Sequence, residues 1–143
     1  MAHFAIINNE GRVDQVVKVN NEVLLDENGE EQESLGVAFL TSMYGEGNYK
    51  QTSINTWMGV HKLGGTPFRK NYAGYYFTYN EEIDGFIPPK LYESWILDTN
   101  KGIWIAPIEH PENKVCEWDE ENQQWINCVD PIVPPNTPNE FLS

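Results

Sequence analysis

The stretch "CEWDEENQQW", residues 116–125, sets two tryptophans seven positions apart around a polar, acidic insert. If Trp118 faces Trp125 across a hairpin, Asp119 and Gln124 form the next pair, and residues 120–123 remain as a four-residue loop, a length commonly built on a type I turn. The same spacing recurs along the chain. In "FTYNEEIDGF" (77–86) Tyr79 faces Phe86 around residues 81–84. In "WILDTNKGIW" (95–104) Leu97 faces Trp104 around 99–102, and in "AIINNEGRV" (5–13) Ile6 faces Val13 around 8–11. The last loop position, where a positive φ is often wanted, holds Gly11, Asp84, Gly102 and Gln123; the glycines fit without steric cost, the aspartate tolerably and Gln123 least well. Asn80, Asp98 and Asp119, just inside these loops, are turn-capping types.

Hairpins of matched spacing predict a mainly β protein built of antiparallel sheets, with large cross-strand pairs adding roughly 0.2–1 kcal/mol apiece. One segment departs from the pattern. "EEQESLGVAFLTSMYGEG" places Leu35, Phe39 and Met43 four apart, follows a run of glutamates suited to a helix N-terminus and stops at Gly45. A single amphipathic helix over 31–44 follows, its apolar stripe covering a sheet that draws on "FAII", "DQVVKV" and "KQTSINTW". The last of these alternates mostly polar residues and reads as an edge or interface strand. The closing "VDPIVPPNTPNEFLS" contains four prolines, which fix φ and remove amide donors, so residues 130–143 read as an extended arm beyond a single domain of 1–129.

The chain of 143 residues is long enough to bury one core without metals or disulfides. With 22 acidic against 9 basic residues and a net charge of -13, it would be repelled by nucleic acid and by anionic lipid. The acid is concentrated at the ends: residues 1–33 carry eight acids and two bases, and 109–143 carry eight and one. Partner surfaces touched there should be basic. The start "MAHFAIINNEGR" lacks a basic leader, an apolar core and a small-residue cleavage site, so export by a signal peptide is not expected, and no apolar window is long enough for a membrane helix. Cys116 and Cys128 are too few for a disulfide framework; both are expected reduced and packed, with a bridge between neighbouring strands the alternative.

Patterns that carry catalysis are missing. His3, His61 and His110 show no metal-ligand spacing, there is no GxSxG, GxxxxGK[ST] or strand-placed GxGxxG, and the loop-edge carboxylates Asp84, Asp98 and Asp119 have nothing to raise a pKa. "DENGEE" (26–31) is shorter than a twelve-residue calcium loop and reads as a turn into the helix. No enzyme activity, metal or cofactor is expected. "KLGGTPFRKNYAGYY" (62–76) remains, where Arg69 and Lys70 form the only adjacent basic pair in the chain. Such a pair anchors an acidic partner, or it forms an intramolecular ion pair with the glutamate-rich segments.

"MAHFAIINNEGRV" (1–13), "YKQTSINT" (49–56), "FRKNYAGYYFTYNEEIDGFIPPKLYESWILD" (68–98) and "WDEENQQW" (118–125) resemble a group of small proteins of marine tailed bacteriophages, especially contractile-tailed phages of cyanobacteria. The resemblance spans nearly the entire chain. It implies a virion structural protein, present in many copies, with no catalytic residues to carry over. On that reading the protein is fixed to capsid or tail through Arg69, Lys70, Asn71 and Tyr72 and through Pro131, Pro134, Pro135 and Phe141 of the arm, and it resides in the virion. Two other readings stand beside it. Trp57, Trp95, Trp104, Trp118 and Trp125 offer rings for stacking a host-surface glycan, and an acidic chain of this kind suits a host-directed effector that occupies a basic site.

Overall fold

The computed structural model describes residues 1–132, so Pro134, Pro135 and Phe141 lie outside the described residues. The protein is mainly β, with antiparallel sheets and one α-helix among those residues. It divides into two units: Met1–Lys90 with Leu97–Trp104, and Leu91–Ile96 with the chain from Ile105 onward.

The first unit is organised by a sheet of order β2-β1-β3, formed by β1 (Ala2–Ile7), β2 (Val13–Val19) and β3 (Asn48–Thr52). Alternation along β1 supplies a core on each side. Ala2 and Phe4 join Val19, Leu24, Leu40 and Tyr49 on one face, while Ala5 and Ile7 join Val13, Ala73 and Phe86 on the other. Burial on both faces explains why "FAII" is apolar without interruption.

The helix α1 (Glu33–Tyr44) starts two residues later than the glutamate run predicts, because Gln32 is still extended at φ -128°. Its rotation differs from the expected one. Leu35, Phe39 and Met43, predicted to cover the sheet, face outward at 36%, 36% and 58% exposure, and Gly36 and Leu40 are buried instead. The cause is a close approach: a Cβ at position 36 would collide with the Phe4 ring, so the glycine is where helix and sheet meet.

Two of the hairpins follow the predicted spacing, and one departs from it. β6 (Thr78–Asn80) and β7 (Gly85–Ile87) pair Tyr79 with Phe86, and β10 (Val115–Asp119) and β11 (Gln124–Val129) pair Trp118 with Trp125 and Asp119 with Gln124. β8 (Ile96–Asp98) pairs with β9 (Ile103–Ile105). In the first hairpin Ile7, not Ile6, faces Val13. Ile6 pairs with Gln15 across a bulge at Asp14, and Asn8 Oδ1 accepts the Glu10 and Arg12 amides inside the longer loop. All four last loop positions are left-handed: Gly11 at φ 81°, Asp84 at 46°, Gly102 at 68° and Gln123 at 49°. "KQTSINTW" is not one strand. It breaks after Thr52, and a further hairpin of β4 (Thr56–Trp57) and β5 (Val60–His61) turns at Met58 and Gly59.

In the second unit Cys116 and Cys128 form a disulfide, which corrects the expectation of reduced thiols. The shift in register between Val115 and Glu117 is the reason: the Trp118–Trp125 register continued unbroken would set Cys116 opposite Asn127, and the shift brings Cys128 alongside it, with the two Cα atoms 4.2 Å apart. No helix among the described residues is long and apolar enough to cross a membrane.

Candidate functional site

The segment "FRKNY" is built around two consecutive left-handed residues, Arg69 at φ 51° and Lys70 at φ 71°, which fold the chain back so that neighbouring side chains diverge. The Arg69 guanidinium grips Glu33 with both terminal nitrogens, at 2.7 and 3.1 Å, and its Nε donates to Asp84 at 3.0 Å. It also donates to the Gln51 carbonyl at 2.9 Å, and the Gln51 amide donates to Glu33 at 2.8 Å. Together Arg69 and Glu33 close the outer edge of β3 as a neighbouring strand would. The Arg69 side chain is only 12% exposed. Partial burial works against its charge, but Glu33 and then Asp84 outweigh that and hold its pKa above the ordinary value. Asp84 is partly desolvated too, which would raise its pKa, yet the Tyr79 hydroxyl and Arg69 bonded to it hold it below the usual aspartate range.

Asn71 is fully buried. Its Oδ1 accepts the Met58 amide at 2.9 Å, while Nδ2 donates to the carbonyls of Phe86 and Gly102, both at 2.9 Å, and more weakly to Lys101 at 3.2 Å. One side chain thus joins the β4–β5 turn, β7 and the β8–β9 loop. Lys70 is half-buried with its stem against Gly85 and Gly102, and the half-buried Tyr72 ring meets His3 edge-on at 5.7 Å. Of the four residues predicted to face a partner, Arg69 and Asn71 therefore turn their polar groups inward. The intramolecular ion pair, weighed above as the alternative, is the one formed. Of the arm, Pro131 is exposed.

An open cleft of about 1360 Å³ lies in the same unit between the β1–β2 turn, the β6–β7 hairpin and Pro88–Pro89. Its walls carry Asn8, Asn48, Asn80, Glu46 and Glu81, with Trp104 among the lining residues. Trp104 is held there by a bond from its indole N–H to the Pro88 carbonyl at 2.8 Å, and Lys90 Nζ stands 4.9 Å from its ring centre. Sequence reasoning singled out Trp104 but not the cleft. The polar wall comes from separate turns, and the only signal was asparagine at those turns.

Of the other glycan candidates, Trp57 is in the first unit, while Trp95, Trp118 and Trp125 belong to the second and pack on one another. Trp118 and Trp125 meet edge-to-face at 4.9 Å, and Trp95 stands 6.0 and 6.1 Å from them. Glu120, inside the hairpin loop, accepts from the Ser94 amide at 3.0 Å and the Trp118 indole at 2.9 Å, while the Trp125 indole donates to Ile108. The three rings are half-buried, a cluster rather than a flat platform.

Large apolar side chains are exposed elsewhere in the first unit. Besides the α1 stripe, Trp57, Val60 and Leu63 stand at 50%, 66% and 74%, and Tyr75 and Tyr76 at 70% and 75%. Among the described residues no group of three or more His, Cys, Asp or Glu is placed to hold a metal ion. No protein-family model, no curated protein and no solved structure matches the chain.

Proposed function

We propose that the protein is a non-enzymatic structural or accessory component of a tailed-phage virion, fixed to capsid or tail by protein–protein contacts. The observation that carries this reading is the outer face of α1. Leu35, Phe39 and Met43 are left to water on the face of the helix next to the one that buries Gly36 and Leu40, so the apolar surface of α1 is wider than the sheet covers and its uncovered part is available to a second surface. The most concentrated polar centre in the first unit, around Arg69 and Asn71, is spent on holding the fold. The resemblance of the sequence to small proteins of marine tailed phages supplies the setting. In many copies, modest contacts of this size give firm attachment through avidity. The test is binding to phage particles that lack the protein. Replacing Leu35, Phe39 and Met43 together by glutamate should abolish binding while the circular dichroism stays native; undiminished binding refutes the docking role of this face. Deleting residues 130–143 tests the arm in the same assay.

A second reading is favoured by the cleft. Amide and carboxylate side chains beside Trp104 suit a host-surface glycan, for which hydroxyl-bonding groups and an aromatic wall are the ordinary requirements. Titration with host polysaccharide should then perturb the Trp104 indole signal, and Trp104→Ala should remove the response.

A further inference from the structure

The three-stranded sheet has two outer edges, and they are finished differently. Gln51 on β3 is closed by Glu33 and Arg69. On β2, closure stops at the first residue, whose amide donates to the Phe77 carbonyl. Among the described residues, β2 pairs only with β1 beyond that point, so residues 14–18 present a bare edge. Bare edges are templates for another strand.

We propose that this edge pairs with the same edge of a second copy of the chain, antiparallel and centred on Val16, giving one continuous sheet across a two-fold axis. A symmetric antiparallel ladder has one residue as its own partner, because successive rungs alternate in type and cannot be exchanged by the axis. That leaves few registers. Centring on Gln15 sets Asp14 against Val16, and centring on Val17 sets Lys18 against Val16. Centring on Lys18 opposes two ammonium groups. Only Val16 at the centre sets Asp14 of each copy against Lys18 of the other, two opposite-charge pairs on a short ladder. This register also ends at Asp14, before the amide that Phe77 already occupies.

Asp14 and Lys18 are both exposed, and the Asp14 carboxylate is engaged through one oxygen, Oδ1, by Asn8 at 2.9 Å. A lone lysine on an edge strand ordinarily discourages pairing. Here an aspartate on the other side of Val16 converts it into a device that selects one register. A second, independent observation lies beside the edge. Tyr75 and Tyr76 are 70% and 75% exposed, Tyr76 is held at φ 66°, and both share a shallow hollow with Val13 and Asp14. The end of the second copy's β2 would run over this hollow and cover rings that otherwise face water. The inference is independent of where the protein acts.

The experiment is sedimentation equilibrium on the full chain over a concentration series, with Lys18→Asp and Asp14→Lys variants. The wild-type chain should dimerise. Lys18→Asp should weaken dimerisation about tenfold or more, because each pair becomes a like-charge contact. Mixing the two variants should restore association as a heterodimer, since every rung then carries opposite charges again. The mixture keeps the test open if one variant alone is perturbed, and circular dichroism of each checks its fold. A wild-type chain that stays monomeric, a dimer indifferent to Lys18→Asp, or variants that fail to associate on mixing would each overturn the proposal.

Discussion

Replacing Asn71 by alanine removes the side chain that joins three segments of the first unit. The Met58 amide and the carbonyls of Phe86 and Gly102, all bonded to it at 2.9 Å, lose their partner in a fully buried position. A buried donor or acceptor left without a partner costs about 1–3 kcal/mol, and partial relaxation brings the sum to about 3–5 kcal/mol, a large share of a small domain's stability. Asn71→Asp is more informative. A carboxylate keeps the acceptor for Met58 but points its second oxygen at carbonyls, so ionisation is opposed and the folded-state pKa rises above the unfolded one. The penalty is then absent well below the unfolded aspartate value of about 4, grows as pH rises and levels off above the raised folded value. At pH 7 the aspartate variant should be less stable than the alanine one, and the gap should narrow toward pH 5. Urea denaturation read from the Trp104 indole resonance, which belongs to the same unit, measures this directly. A loss under about 1 kcal/mol for Asn71→Ala, or an aspartate variant as stable as wild type, would refute the view that this residue joins the fold.

The disulfide closes a loop of sequence separation 12 and should stabilise the second unit by about 3 kcal/mol; reduction should shift the denaturation midpoint of the Trp118 and Trp125 signals accordingly. Asp84 is ionised when bound by Tyr79 and Arg69, so its contribution is complete above its unfolded pKa of 3.8 and is lost as pH falls through the lower folded value. Asp84→Asn should therefore flatten the acid limb of stability against pH, as thermal unfolding at successive pH values will record. Gln123 sits at φ 49° without being glycine; Gln123→Gly should stabilise the hairpin by about 0.5–1 kcal/mol in the same denaturation assay.

The hairpins were legible because their information is local. Loop length and the flanking large pair determine the register, and the left-handed fourth position was adopted even at Gln123, where composition argued least for it. The disulfide was not legible, because it depends on a register shift between Val115 and Glu117 that the hairpin spacing does not carry. Helix rotation was not legible. Leu35, Phe39 and Met43 share the four-residue spacing of Gly36 and Leu40, and only the Phe4 ring, thirty-two positions from Gly36, decides between the two faces. The inward turn of Arg69 and Asn71 was not legible for a related reason. Arg69 is satisfied by Glu33, Gln51 and Asp84, and Asn71 by Met58, Phe86 and Gly102, so their roles depend on pairings among distant segments. Read locally, "RKNY" is a basic patch on an acidic chain. In the fold its Arg69 and Asn71 form an internal junction.

The most direct test of the account is a quantitative mass-spectrometric inventory of purified phage particles separated into heads and tails. A structural virion component predicts this chain in one fraction, at a fixed copy number that survives stringent washing. Its absence from both fractions, with the protein found only in the infected-cell lysate, would contradict the account.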